Sequence, residues 1–70
     1  MNKMVQVNAN KIAIINGLGI WRSENRKTDY FGAQYGPRYV YYDVALDYGE
    51  GDVIESFKTE SAARHYCQEY

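Results

Sequence analysis

The strongest structural signal in this sequence is the two-residue alternation of residues 39–48. Apolar side chains occupy every even position, namely Val40, Tyr42, Val44, Leu46 and Tyr48, and the odd positions are Tyr39, Tyr41, Asp43, Ala45 and Asp47. Successive side chains of a β-strand point to opposite faces, so a period of two over ten residues predicts a strand with one buried face. The tyrosine and valine content favours the same structure.

Turn signals divide the surrounding sequence into shorter strands. Asn16-Gly17 is a strong hairpin signal, because both central residues of a type I′ turn need a positive φ. We predict strands at residues 4–8, 11–15 and 18–22, with a turn at 8–10, and a return strand at 53–57 after a glycine turn at 49–52. Gly19 weakens the third of these strands and indicates either a bulge or a close approach of the backbone.

Residues 23–38 allow two interpretations. The segment is polar at first and is then interrupted by Gly32, Gly36 and Pro37. It is either a long loop, of the kind that is often functional, or a second hairpin. The hairpin would have its tip at residues 25–29 and would carry Tyr30 and Phe31 on its returning strand.

The last element is predicted to be a helix over residues 60–70. Thr59 is a suitable N-cap, and Glu60 suits the positive end of the helix dipole. So short a helix is unstable alone and must dock on the sheet. We therefore predict one α+β domain over residues 1–70, a small antiparallel sheet of three to five strands with one carboxyl-terminal helix packed on one face. The predicted core consists of Ile14, Val40, Tyr42, Val44, Leu46, Phe57, Ala63, Tyr66 and Cys67.

The chain contains few residues of the types that form catalytic sites. The single histidine, His65, and the single cysteine, Cys67, are two residues apart on the predicted helix and point in nearly opposite directions. A chain of 70 residues also has a small core and little room for a deep cleft. We predict a protein that is not an enzyme and that uses no cofactor and no metal.

Charge divides the chain into two parts. Residues 1–42 carry six basic and two acidic side chains, whereas residues 43–70 carry two basic and seven acidic ones. This division favours a surface with one face for an anionic partner and another for a cationic partner, although both groups could simply be solvated. The single cysteine and the short apolar run at residues 12–15 predict a cytoplasmic protein without a membrane segment.

Aromatic and basic residues are interleaved between positions 21 and 41. The candidate binding residues here are Trp21, Arg22, Arg26, Lys27, Tyr30, Tyr35, Arg38, Tyr39 and Tyr41, and Phe31 belongs to the same segment. These residue types are enriched at protein interfaces, and they also suit single-stranded nucleic acid, whose bases stack on aromatic rings. The chain is slightly acidic and has no nucleic-acid-binding motif, so we rank a larger protein partner first and nucleic acid second.

A strip of acidic residues follows this segment. Asp43, Asp47, Glu50, Asp52 and Glu55 would lie on the second hairpin, with the first two of them among the candidate binding residues. The strip could meet a basic groove on a partner, or it could be a solvated hairpin tip that discourages edge-to-edge pairing.

The general appearance of the chain is similar to that of small phage or mobile-element proteins that block host defence enzymes. It is short, rich in tyrosine, divided in charge and without catalytic residues. This similarity implies a non-enzymatic inhibitor of a host protein. We also predict a homodimer, because the aromatic side chains of residues 39–41 would otherwise form an exposed patch.

Overall fold

The structure is a computed structural model that describes residues 3–47 and 53–70. It contains four strands and one helix, β1 (Lys3–Ile15), β2 (Leu18–Thr28), β3 (Gln34–Leu46), β4 (Val53–Phe57) and α1 (Glu60–Gln68). The strands form one antiparallel sheet in the order β1-β2-β3-β4. The predicted α+β architecture is confirmed. Tyr48 and the predicted glycine turn at 49–52 lie outside the described residues.

The first hairpin turns where the sequence predicts it. Asn16 and Gly17 have φ angles of 52° and 78°, as a type I′ turn requires. The predicted turn at residues 8–10 is wrong, because β1 runs through that segment. Two register shifts, one between Gln6 and Asn8 and one between Lys11 and Ala13, let the long strand bend without ending.

Residues 23–38 form a hairpin, so the loop interpretation is wrong. The tip of the hairpin lies at residues 29–33 and not at 25–29, and Tyr30 and Phe31 belong to the tip itself. The cause is Asp29, whose Oδ1 accepts hydrogen bonds from the backbone N–H groups of Phe31 and Ala33, both at 2.9 Å. An aspartate side chain that bonds to the backbone two residues later closes a turn by itself.

Helix α1 begins where the sequence predicts and ends two residues earlier. The Thr59 hydroxyl accepts a hydrogen bond from the Ala62 backbone N–H at 3.2 Å and caps the helix. The fully buried core side chains come from β2, β3 and α1, and they are Leu18, Ile20, Val44, Ala63 and Cys67. Partly buried around them are Ile12, Ala13, Ile15, Tyr42, Leu46, Phe57 and Tyr66.

Two of the predicted core residues lie outside this cluster. Ile14 is 57% exposed, because the register places it opposite Gly19, while Ala13 and Ile15 stand opposite the buried Ile20 and Leu18. Val40 is half-buried and stands opposite Glu24, beyond the end of the cluster. The other seven predicted core residues are confirmed.

The helix covers only one end of the sheet. Nine helical residues span roughly 13 Å, whereas a strand of 13 residues spans roughly 43 Å, in keeping with a molecule 40 Å long. We call the helix-covered side of the sheet the inner face and the opposite side the outer face. The part of β1, β2 and β3 that extends beyond the helix, residues 3–6 and 25–38, is called the distal arm. No helix of the described chain is long and apolar enough to cross a membrane.

Candidate interaction surface

The outer face gathers the largest set of the predicted binding residues. On β3 the even residue Val44 is buried beneath the helix, so the odd residues point to the outer face. Their partners on β2 share that face, with Asp43 opposite Trp21, Tyr41 opposite Ser23 and Tyr39 opposite Asn25. Seven predicted residues lie on this side, namely Trp21, Lys27, Tyr35, Tyr39, Tyr41, Asp43 and Asp47.

The outer face carries two shallow depressions. They measure about 280 and 290 Å³, lie side by side and share Asp43. Residues of the edge strands, among them Met4 of β1 and Val53 of β4, line the same depressions as Tyr41 and Trp21. The depressions therefore span the width of the sheet from β1 to β4.

One end of the outer face is organised around Trp21. The Lys11 ammonium lies 5.3 Å from the centroid of the Trp21 ring and 2.7 Å from the Asp47 carboxylate. Both charged side chains are partly exposed, at 40% and 27%, so the ion pair contributes little to stability. Its consequence is geometric, since the Asp47 carboxylate helps to hold the Lys11 ammonium over the Trp21 ring.

The Trp21 ring packs against the backbone of Gly19. A Cβ atom at this position would lie 2.5 and 2.6 Å from two carbons of the Trp21 ring, closer than real Cβ atoms approach. The prediction of a close backbone approach at Gly19 is therefore confirmed. The missing side chain leaves the space in which the ring lies against β2.

Replacing Gly19 with alanine should displace the Trp21 ring. We expect the Gly19→Ala variant to shift the emission of the only tryptophan, to weaken the Lys11 contact and to lower the free energy of unfolding by about 1 kcal/mol. Fluorescence emission reports the displacement of the ring, and urea unfolding measures the loss of free energy. In a Trp21→Leu background the same change should cost clearly less, because the clash is gone, and an equal cost in both backgrounds would contradict this explanation.

The other aromatic residues of the outer face lie on β3, with Tyr35 on the distal arm and Tyr39 just beyond it. Tyr35 pairs with Lys27 across the β2–β3 ladder and is 38% exposed. The Lys27 ammonium lies 5.5 Å from the centroid of the Tyr39 ring, within the range of a cation–π contact. Lys27 is thus the basic residue that the structure brings together with the predicted tyrosines.

Two predicted arginines lie on the inner face instead. Arg22 stands opposite Tyr42 in the register, and both Arg22 and Arg38 form ion pairs with Glu24, at 3.5 and 3.3 Å. A hydrogen bond from the Asn8 amide, together with the charges of Arg38 and Arg22, holds the pKa of Glu24 below its ordinary value, although desolvation opposes them. The ionised Glu24 carboxylate therefore stabilises the folded chain. This stabilisation is complete above the pKa that Glu24 has in the unfolded chain, and it is lost as the pH falls through the lower pKa of the folded chain.

The remaining basic and aromatic candidates lie on the β2–β3 hairpin. Arg26 donates a hydrogen bond from Nε to the Gly36 carbonyl at 3.1 Å, next to a register shift in β2–β3 pairing. Tyr30 and Phe31 occupy the tip of the hairpin and are 92% and 90% exposed. The predicted aromatic-basic segment is therefore divided among the outer face, the inner face and the hairpin tip.

The predicted acidic strip is also divided between the two faces. Asp43 and Asp47 lie on the outer face, where Asp43 accepts a hydrogen bond from the Ser56 hydroxyl at 2.7 Å. Glu55 stands opposite the buried Val44 and so belongs to the inner face. Glu50 and Asp52 lie outside the described residues. The members that the structure describes do not form one continuous strip.

The histidine and the cysteine lie on different sides of α1. Cys67 is fully buried in the core, and burial raises the pKa of its thiol, whereas His65 is on the exposed side of the helix. Within residues 3–47 and 53–70, no group of three or more His, Cys, Asp or Glu side chains is placed to hold a metal ion.

Sequence reasoning missed several residues of the outer face. Met4, 47% exposed, lines one depression together with Asn25 and Ser56, and Lys11 borders the indole of Trp21. The available signals were the alternation within residues 4–8 and the β-branched content of residues 11–15, but neither shows which face of the sheet each side chain occupies. Comparisons of the chain with protein-family models, curated proteins and solved structures found no significant match.

Proposed function

We propose that this protein is a non-enzymatic binding domain that inhibits a larger protein by covering a site on its surface. The observation that carries the proposal is the aromatic outer face with its two shallow depressions, where Trp21, Tyr39 and Tyr41 lie on the two central strands, away from the helix. Tryptophan and tyrosine dominate the binding energy of protein interfaces. These rings are half-buried within the chain, so little conformational freedom remains to be lost when a partner binds.

The general similarity to small phage or mobile-element proteins suggests the kind of target. Such a protein would act in the cytoplasm of a host cell and would block a defence enzyme or a protein that processes nucleic acid. An aromatic face with shallow depressions suits side chains that project from a helix or a loop of that target, beside its active or binding site.

The distribution of charge favours a protein partner over single-stranded nucleic acid. A base-stacking surface needs cations beside its rings to neutralise phosphates. Among the described outer-face residues the cations are Lys11 and Lys27, and Lys11 is already paired with Asp47. Asp43 places a further negative charge between the two depressions. Arg22 and Arg38 cannot compensate, because they lie on the inner face with Glu24.

A second copy of the chain is the first partner to test. Within the described residues β4 pairs only with residues 42–45 of β3, so residues 34–41 have no strand beside them on that side. Pairing two such edges would join the outer faces of two molecules and would form the predicted homodimer. Sedimentation equilibrium at micromolar concentration distinguishes a dimer from an 8.1 kDa monomer.

Affinity capture from a lysate of the native host, with and without nuclease, tests the proposed function. We expect one stoichiometric protein that resists nuclease, and binding to that purified protein should weaken at least 30-fold in the Tyr39→Ala and Tyr41→Ala variants. Neutralising Arg26, Lys27 and Arg38 should weaken binding less and should mainly slow association.

The Tyr70→Ala variant is the matched control, because Tyr70 lies at the helix end and not on the outer face. Its binding should equal that of the unaltered protein, and thermal unfolding of each variant shows that the fold is retained. Recovery of nucleic acid alone, with a steep loss of binding on adding salt, would replace this proposal with the single-stranded nucleic-acid alternative.

A further inference from the structure

The tip of the β2–β3 hairpin presents two aromatic side chains to solvent. Tyr30 and Phe31 are 92% and 90% exposed, more than any other large hydrophobic side chain of the described residues. Their rings contact each other edge to face, with centroids 5.6 Å apart and an angle of 83° between the ring planes. A single exposed apolar residue needs no explanation, but two interlocked rings at the end of a projecting arm form a small apolar knob.

The backbone beneath the knob is held by a closed set of hydrogen bonds. The Asp29 carboxylate accepts from the N–H groups of Phe31 and Ala33, the Asp29 N–H donates to the Ala33 carbonyl at 2.9 Å, and the Gly32 N–H donates to the Asp29 carbonyl at 3.1 Å. Gly32 supplies the positive φ of 84° that this turn requires. The backbone that carries the knob is therefore held in place before any partner arrives, which reduces the backbone entropy lost on binding.

The surroundings of the knob are positively charged. Lys3 and Tyr30 line the same depression of about 390 Å³, and Lys27 and Arg26 lie on β2 just before the turn. Asp29 is the one acidic residue among the described residues of the distal arm, and its carboxylate already accepts hydrogen bonds from the backbone of the turn. A complementary surface would thus be apolar at its centre and acidic around its rim.

We propose that the Tyr30-Phe31 tip inserts into an apolar pocket of the protein partner, and that carboxylates surround this pocket and face Lys3, Arg26 and Lys27. This inference rests on the proposed function and adds the chemistry of the partner site. The perpendicular rings do not offer two parallel faces to successive bases, as stacking on single-stranded nucleic acid requires. Two rings are also a small apolar area compared with the helix faces that hold proteins at a lipid surface.

A double substitution at the tip tests the contribution of the knob. Because both side chains are almost fully exposed, the Tyr30→Ser/Phe31→Ser variant should fold and melt like the unaltered protein. Its affinity for the purified partner should fall at least 30-fold, as for anchor residues of other interfaces. The Tyr70→Ser variant, which removes a 65% exposed tyrosine elsewhere, should bind normally. Equal affinities of the tip variant and the control would overturn the proposal.

Photo-crosslinking identifies what the tip touches. The photoreactive residue p-benzoylphenylalanine replaces Phe31 in one sample and Tyr35 of the outer face in another, and both proteins are irradiated in the native host's lysate. We expect the probe at position 31 to crosslink to a single protein at an apolar site flanked by Asp and Glu, as mapped by mass spectrometry. Crosslinks to a basic site, to nucleic acid or to a second copy of this chain would overturn the proposal.

Vesicles and the second probe separate the remaining outcomes. Vesicles of phosphatidylcholine and phosphatidylserine should not bind the protein, and binding that disappears in the tip variant would assign the knob to a lipid surface instead. If the probe at position 35 crosslinks to a protein and the probe at position 31 does not, the tip inference fails while the proposed function stands. If neither probe crosslinks to another protein, both fail.

Discussion

Replacing Ile20 with alanine should destabilise the protein strongly, and replacing Ile14 should not. Ile20 is fully buried between the sheet and α1, whereas Ile14 on the neighbouring strand is 57% exposed. Truncating a buried isoleucine to alanine costs 2–5 kcal/mol, so we expect a loss of about 3 kcal/mol for Ile20→Ala and less than about 0.5 kcal/mol for Ile14→Ala. Urea and thermal unfolding, followed by circular dichroism, measure both values.

The effect of Ile20→Ala is large for a chain of this size. Small domains have free energies of unfolding near the lower end of about 5–15 kcal/mol, so the variant should lose roughly half of its stability. Its melting temperature should fall by about 15 °C, since 1 kcal/mol shifts a domain of 60–100 residues by about 4–8 °C. The two variants remove the same atoms from the same residue type, and each serves as the control for the other. Equal losses would mean that the β1–β2 register is displaced by one residue.

The general architecture could be predicted from the sequence because its strongest signals are local. The alternation in β3 survives in the structure, with Val44 buried and Asp43 on the opposite face. The Asn16-Gly17 turn depends only on the backbone freedom of two residues, and the Thr59 cap depends only on the first turn of the helix. None of these features needs information about distant parts of the chain.

Several of the predictions that failed depend on pairing between strands. Counting outward from the Asn16-Gly17 turn places Ile12 opposite Trp21, but a register shift places Lys11 there instead. This shift lets Ile12 join the core and brings Lys11 to the indole. A bulge changes which face the following residues present, and no residue type in β1 marks its position.

The position of the candidate binding residues on the sheet could not be predicted for the same reason. Sequence reasoning identified the aromatic and basic residues but treated the segment from Trp21 to Tyr41 as one surface. The arginines at positions 22 and 38 differ from Trp21 and Tyr39 by one position each, and one position along a strand is the difference between its two faces. Glu24 then draws both arginines together on the inner face. The turn that Asp29 closes moves Tyr30 and Phe31 out of the strand and onto the tip.

Replacing Asn16 should loosen the contact between the first hairpin and the helix. The Asn16 side-chain amide donates a hydrogen bond to the Cys67 carbonyl at 2.9 Å and lies 3.5 Å from the Gln68 carbonyl. The last carbonyls of a helix have no intrahelical donor. The Cys67 carbonyl accepts from the Tyr70 backbone N–H at 3.3 Å, and the Asn16 amide is a second donor that ties this end of the helix to the first hairpin. Asn16 also holds a φ of 52°, which asparagine tolerates better than most residues.

Two substitutions at this position separate the hydrogen bond from the backbone strain. Asn16→Gly keeps the positive φ and loses the amide, so it should lower the free energy of unfolding by about 1 kcal/mol. Asn16→Ala loses the amide and also places a Cβ atom in the left-handed region, so it should cost about 2 kcal/mol. In both variants the backbone amides at the end of α1 should exchange with solvent faster than before, whereas those of β3 should change only with global stability. If both variants cost the same and α1 exchanges unchanged, the amide does not secure the helix, and the packing of Ala63 and Cys67 on the sheet holds it alone.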